Sequence, residues 1–363
     1  MPGHGNGTGD DAAPRLGVAV VGAGYWGPNL ARNFAASGAW DLVALCDLDL
    51  DRASRLARSV GRVDVVGSVD DLLARDDVDA VAIATPARTH HGIVMSALRA
   101  GKHVVVEKPL AESGVQAREM VDLAQEQGLV LMTDHTYCYT PAVQRIRELV
   151  HDGVLGDILY IDSVRINLGI VQPDVDVLWD LAPHDLSILD FILPGGLRPV
   201  GVAAHGADPL GAGKACMAYL TLPLPDGAIA HVHVNWMSPT KIRQMVVGGS
   251  ERTLVWDDLN PQQRLSVYDR GVDLARRGGD ERAAATVSYR LGDTWSPALP
   301  EREALAAMVD EFAASIRERR AARTDGHAGA RVLGILEAGS TSLLQAGTLV
   351  KMQQSDDKVG MVA

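Results

Sequence analysis

Leu16-Gly17-Val18-Ala19-Val20-Val21, followed at once by Gly22-Ala23-Gly24-Tyr25-Trp26-Gly27, is the stretch whose reading decides the fold. The first six residues form a continuous apolar, β-branched run, the pattern of a strand buried on both faces of a parallel sheet. The glycines that follow keep a G-x-G-x-x-G spacing. In a strand–turn–helix unit each has a task. Gly22 permits the tight turn, Gly24 lets backbone approach a pyrophosphate, and Gly27 lets the helix lie close to the strand. Tyr25 and Trp26 sit inside the same turn and are candidate cofactor contacts with the glycines. Pro28–Ser37 has helical character, and its N-terminus offers N–H groups and a positive dipole end to phosphates. Asp47 closes the next apolar run, Leu42–Cys46, 20 residues beyond Gly27. A carboxylate there accepts hydrogen bonds from ribose hydroxyls and repels a 2′-phosphate, so NAD is expected in preference to NADP. Arg52 is the neighbour that would favour NADP.

Working outward, helical patterns at Asp51–Ser59, Ser68–Arg75, His90–Ala100 and Val115–Gln127 alternate with apolar runs at Val63–Val66, Ala80–Ala84, His103–Val106 and Leu129–Thr133. Such alternation predicts an α/β unit, a doubly wound parallel sheet with helices on both faces. The rhythm changes after Asp134. Pro141–Asp152 reads as a helix, Ile158–Leu168 as a strand and Asp180–Ile192 as a helix stopped by Pro194-Gly195-Gly196. Strands are then expected at Ala215–Leu222, Ala228–Trp236, Arg243–Val247, Thr253–Trp256 and Leu265–Asp269, with Pro225-Asp226-Gly227 as a hairpin turn. In His231–Trp236, valines alternate with polar residues, so one sheet face is apolar and the other polar. Two helices, Glu301–Arg320 and Ala330–Leu349, close the chain. The second half is therefore an α+β domain with a mostly antiparallel sheet. The expected organisation is a Gly-rich disordered leader over 1–14, a dinucleotide-binding domain over 15–135, a second domain over 136–352 and a loose tail over 353–363.

A length of 363 residues fits two domains at roughly 150 residues each. The net charge is −12, and no block of Lys and Arg stands apart, which argues against a nucleic-acid partner. No run of 18 apolar residues exists, so no membrane helix is expected. Cys46, Cys138 and Cys216 are scattered and odd in number, which fits a reducing cytoplasm and no metal site. His231 and His233 have no Cys or acidic partner at ligand spacing and read as polar sheet face.

Glu107-Lys108-Pro109 directly follows the fifth expected strand, and ligands of open α/β sheets sit beyond strand carboxyl ends. With it stand Gly22–Gly27, Asp47, Thr85-Pro86 with His90, Gly101-Lys102-His103, Asp180 with His184, and Thr324-Asp325-Gly326. In this order and combination, residues 15–350 resemble the Gfo/Idh/MocA oxidoreductase family. The resemblance implies a Rossmann domain that binds NAD(P). It implies a C-terminal domain whose open sheet mediates oligomerisation, as a homodimer or homotetramer. Sugar or cyclitol substrates, oxidised or reduced at a carbinol, are implied too, and so is a cis peptide between Lys108 and Pro109. Thr85, Pro86, His90, Glu107 and Lys108 would then border the cofactor, with Lys108 also beside the reacting hydroxyl.

Asp180 and His184 match the family's D-x-x-x-H pair. On a helix, i and i+4 share a face, so both can point at one substrate. His184 is the candidate acid–base group, since an unperturbed imidazole titrates near working pH. Asp180 would orient the imidazole, contact a sugar hydroxyl or do neither. Pro183, however, is expected to mark the first turn of the helix, which would place Asp180 just before it. Where many relatives carry Arg-Phe before a Pro, this chain has Cys138-Tyr139, and Cys138 reads as a packing residue. Gly24–Leu30 (GYWGPNL) is similar to the branch that oxidises the C3 hydroxyl of UDP-N-acetylglucosamine or its uronic acid. Arg165, Asn167, Asn235, Trp236 and Lys241, on or beside second-domain strands, are candidate substrate contacts. Two other readings stay open. One is a dehydrogenase or ketoreductase of a free sugar, glycoside or inositol-like cyclitol; the other is an NAD-binding regulatory protein without turnover.

Overall fold

The structure, a computed structural model, describes residues 14–275 and 286–352. The expected tail and all of the expected leader except Pro14 lie outside the described residues. Strand β1 (Leu16–Val21) sits at the centre of a six-stranded parallel sheet with β2 (Trp40–Cys46), β3 (Asp64–Val66), β4 (Ala80–Ile83), β5 (His103–Glu107) and β6 (Leu131–Asp134). The order is β3-β2-β1-β4-β5-β6. Helices α1 (Gly27–Ala36), α2 (Leu50–Val60), α3 (Val69–Leu73), α4 (His90–Arg99) and α5 (Gly114–Glu126) make the crossovers. The central strands are buried on both faces, as their unbroken apolar runs require. The strand order reverses between β1 and β4, and a crevice opens at their carboxyl ends.

After β6 the chain forms α6 (Pro141–His151), β7 (Ile158–Leu168) and α7 (Val177–Ile192). It then builds the rest of a nine-stranded sheet: β8 (Gly201–Ala207), β9 (Met217–Pro223), β10 (Ile229–Asn235), β11 (Met237–Gly249), β12 (Thr253–Asp257), β13 (Leu265–Ala275), β14 (Thr286–Trp295) and β15 (Val350–Lys351). The order is β14-β13-β12-β11-β7-β10-β9-β8-β15. Every pair is antiparallel except β7 with β10. The hairpin between β9 and β10 turns at Asp226 and Gly227, both at positive φ, where the turn residues were expected. Strands β8, β14 and β15 carried no signal in the sequence. Gly201–Ala207 is Gly, Ala and Val around one His, and its pairing with β9 supplies what its low intrinsic β preference does not.

Helix α7 corrects an expectation. It begins at Val177, capped by the Asp176 carboxylate on the Trp179 N–H, so Pro183 lies well inside it and Asp180 lies in its first turn. An interior proline costs about 3 kcal/mol in lost hydrogen bonding and crowding. Leu178, Leu186, Ile188, Leu189 and Ile192 of this helix are fully buried, each worth about 1.5–3 kcal/mol, so packing outweighs the proline.

The last two helices, α8 (Ala304–Glu318) and α9 (Gly326–Leu344), return to the first sheet. Trp40 of β2 stacks on Phe312 of α8 at 5.2 Å and donates to the Val309 carbonyl. Asp325, which caps α9, forms a β-bridge with Met132 of β6. The segment expected to form only a second domain thus also covers the first. No described helix is long and apolar enough to cross a membrane.

Candidate active site

A cleft of about 1250 Å³ runs along the carboxyl ends of the parallel strands. Gly22, Gly24, Tyr25, Trp26, Asp47, Thr85, Pro86, Glu107 and Lys108, all singled out in the sequence, line it. A Cβ on Gly22 would stand 2.8 Å from the backbone of Ala84, and its φ is +99°. A Cβ on Gly27 would stand 2.0 Å from the Gly22 carbonyl, which explains why Gly27 packs beneath the turn rather than lining the cleft. Gly24 has nothing within 4 Å of a would-be Cβ, so its face of the loop is open to a ligand. The Asp47 carboxylate accepts the Ala23 N–H at 2.7 Å and the Asp49 N–H at 2.8 Å. Each oxygen keeps a second lone pair for a ribose hydroxyl. No side chain caps α1, which leaves its first turn for phosphate. These residues fit NAD. Arg52, the neighbour that would favour NADP, pairs with Asp49 at 3.1 Å.

A second cavity, of about 690 Å³, meets the cleft at Tyr25, Trp26, Glu107 and Lys108. Lys108, directly after β5, and Asp180 and His184, on α7, all line it. The Lys108–Pro109 peptide is cis. Lys108 Nζ donates to the Asp180 carbonyl at 3.2 Å. The Asp180 carboxylate accepts the Trp236 Nε1–H at 2.9 Å. The His184 ring meets the Tyr137 ring edge-on at 5.1 Å. Burial first, then the positive charges of Lys108 and Arg165, hold its pKa well below the ordinary histidine value. The imidazole is therefore neutral at neutral pH and ready to accept a proton.

Several expected contacts take other places. His90 is buried away from the cleft, its ring nitrogens 2.9 Å from the Pro109 carbonyl and 2.8 Å from the Thr85 carbonyl. It ties the two loops that carry Thr85 and Lys108 instead of touching a cofactor. Arg165 is also buried, paired with Asp185 at 2.6 Å and stacked under Tyr137 at 4.5 Å. A guanidinium so enclosed cannot also reach a substrate. Trp236 is buried behind Asp180, and Asn235 accepts the Met237 N–H. Asn167 is half-buried and Lys241 exposed, both outside the cavity lining.

Other lining residues escaped the sequence reading: Asp134, Tyr137, Gln172, Asp174, Trp179 and Asp258. Asp134 ends β6, and its position at a strand carboxyl end was the available signal. Cys138 is buried packing, its thiol against the Ser187 carbonyl.

Hydride chemistry requires cofactor and substrate to face each other, and here the two cavities join at Lys108. Fold and site together define the class, an NAD-dependent oxidoreductase acting on CH–OH groups. The family descriptions "Oxidoreductase family, NAD-binding Rossmann fold" and "GFO/IDH/MocA C-terminal domain" match residues 16–135 and 143–255. The chain belongs to the Gfo/Idh/MocA oxidoreductase family. It is 32% identical over 317 residues to UDP-N-acetylglucosamine 3-dehydrogenase of Acidithiobacillus ferrooxidans, spanning 86% of this chain and 93% of that one. A solved structure of that enzyme superposes with a TM-score of 0.77 and covers 92% of this chain and 99% of its own. D-glucoside 3-dehydrogenase of Escherichia coli is 33% identical over 55% of this chain and 60% of its own. The structure of GenD2 from gentamicin A biosynthesis, in complex with NAD, is 27% identical with a TM-score of 0.76, over 94% of this chain and 97% of that one.

Proposed function

We propose that this chain oxidises the C3 hydroxyl of a nucleotide sugar such as UDP-N-acetylglucosamine or its uronic acid. The observation that carries the chemistry is the convergence of Lys108 and a neutral His184 on one cavity where it joins the cofactor cleft. The choice of sugar leans on the relative that acts on UDP-N-acetylglucosamine.

His184 accepts the hydroxyl proton as the C–H bond breaks. Lys108, tethered to the Asp180 carbonyl, places its ammonium where the alkoxide develops. Asp180, held by Trp236, is oriented toward a neighbouring sugar hydroxyl. Tyr137 packs against His184 and limits its ring positions. When bound, the nicotinamide supplies the hydride acceptor.

The D-glucoside 3-dehydrogenase relative favours a second reading, a glycoside, free sugar or cyclitol as substrate. NADH formation measured against UDP-sugars, glycosides, free hexoses and inositols decides between them. Turnover of glycosides alone removes the nucleotide-sugar reading.

Two further expectations stay with this reading. The enzyme assembles as a homodimer or homotetramer through the open face of the nine-stranded sheet, where Val272 and Tyr289, register partners on β13 and β14, are exposed. A reducing cytoplasm suits its three cysteines, all buried free thiols. Sedimentation of the purified protein tests the assembly.

A further inference from the structure

Strands β5 and β6 run parallel, and their last residues, Glu107 and Asp134, are register partners. Register partners on neighbouring strands project to the same side of a sheet, about 4.8 Å apart. Asp134 is 2% exposed. Glu107 Oε2 is buried and meets no N–H or O–H donor. The neighbours of the Glu107 carboxyl are the carboxyl of Asp134 and the backbone N–H of Lys108. Two neighbouring carboxylates, with Asp134 and the Glu107 Oε2 atom buried, resist ionising together. A proton between them satisfies the unmet oxygen and removes one of the two charges.

We propose that Glu107 and Asp134 share a single proton, making an acid–carboxylate pair of one negative charge that is the counter-ion of Lys108 and fixes its position. The proton belongs on Glu107. Asp134 already accepts two donors, Trp26 Nε1 at 2.8 Å and Thr136 Oγ1 at 2.5 Å, which suits it to be the anion. Burial, then the Asp134 charge, pushes Glu107 well above the usual carboxylate range. Burial raises Asp134 too, opposed by Thr136, Trp26 and Glu107.

The groups facing the pair come from every neighbouring element. Lys108 follows Glu107, His135 follows Asp134, and Thr136 and Tyr137 lie in the next turn. Tyr25 and Trp26 come from the glycine loop, and Asp180 and His184 face across the cavity from α7. Lys108 is the cation that acts on both carboxyls. Burial holds His135 and His184 neutral. Within this group the pair would carry one negative charge beside Lys108, with the Asp174, Asp180 and Asp258 carboxyls on the other walls of the cavity. The Trp26 hydrogen bond extends the device to the glycine loop, so the cofactor cleft and the lysine share one anchor.

Infrared spectroscopy of the full-length, cofactor-free protein tests this without any substrate. The wild type is expected to show a protonated carboxyl at neutral pH that titrates above the usual carboxylate range. Glu107→Gln and Asp134→Asn are each expected to abolish it, because the single carboxyl left beside Lys108 ionises. No such signal in the wild type overturns the proposal, whether or not the variants fold. So does a signal that survives in both folded variants. The role in positioning Lys108 rests on the proposed reaction and has its own readout. The limb of kcat/KM that coincides with the infrared titration of the shared proton is expected to disappear in Glu107→Gln; a limb left in place overturns that role. Failure of the proposed substrate leaves the infrared result untouched, so the two failures are distinguishable.

Discussion

Lys108 Nζ reaches across from the end of β5 and donates to the Asp180 carbonyl on α7, 3.2 Å away. That bond joins the parallel sheet to the helix carrying His184, so Lys108 and His184 are held on one cavity. Lys108→Ala is expected to lower kcat by about 10²–10³, the loss typical of one donor aimed at a developing oxyanion. NAD affinity, read by fluorescence titration, is expected to change little. Full activity in this variant would remove Lys108 from the mechanism.

His184→Asn is expected to cost about 10²–10⁴ in rate, the usual value of general acid–base help. The pH profile carries the sharper test. A lowered pKa keeps the imidazole neutral as pH falls past the ordinary histidine range. The acid limb of kcat/KM is therefore expected below about 6.5, the unperturbed value, and to vanish in His184→Asn. A wild-type limb at the unperturbed value contradicts the assignment.

Two glycines of one loop are expected to fail differently. Gly27→Ala would drive a Cβ to 2.0 Å from the Gly22 carbonyl, so it lowers the melting temperature as well as NAD binding. Gly24→Ala meets no protein atom within 4 Å and fills ligand space instead. Its melting temperature stays near wild type while the dissociation constant for NAD rises. Calorimetry with and without NAD separates them.

Arg165 and Asp185 form an enclosed ion pair under Tyr137, with Ser163 donating to the same carboxylate at 2.8 Å. Asp185→Asn strands a buried guanidinium, and about 3–5 kcal/mol of stability is expected to go, measured by denaturant unfolding. A loss under 1 kcal/mol would show the pair to be dispensable to the fold.

Acid weakens the protein through His135, whose ring burial brings its pKa down to about 3. The unfolded chain takes up this proton near pH 6.5 and the folded protein does not, so stability falls as pH drops through the interval between them. The slope is about 1.4 kcal/mol per pH unit for this residue, and it levels off below the folded pKa. His135→Gln is expected to flatten that part of the stability curve.

Much of the first sheet was legible because its strands are buried on both faces and its turns need glycine at set places. Val18–Val21 and Ala80–Ile83 could be read from apolar runs alone. Asp47 stood out by its spacing from the glycines, and Lys108, Asp180 and His184 by the family resemblance; the structure sets the last three on one cavity. Arg165 and Trp236, expected at the substrate, are buried against Asp185 and Asp180, because residue type does not say whether a cation or an indole meets a ligand or a buried carboxylate. Asp134 and Tyr137 went unmarked, since the loop after β6 departs from the family's usual Arg-Phe.

Local pattern thus determined the alternation of strands and helices in the first sheet and the glycine loop that follows β1. These depend on periodicity of 2 or 3.6 and on backbone freedom at glycine, which one sequence expresses. Tertiary structure alone decided that α7 runs through Pro183, that α8 and α9 fold back over the first sheet, and that Glu107 and Asp134 face each other across two strands. Each is a contact between distant segments, settled by the burial of apolar surface and by which charges that burial brings together.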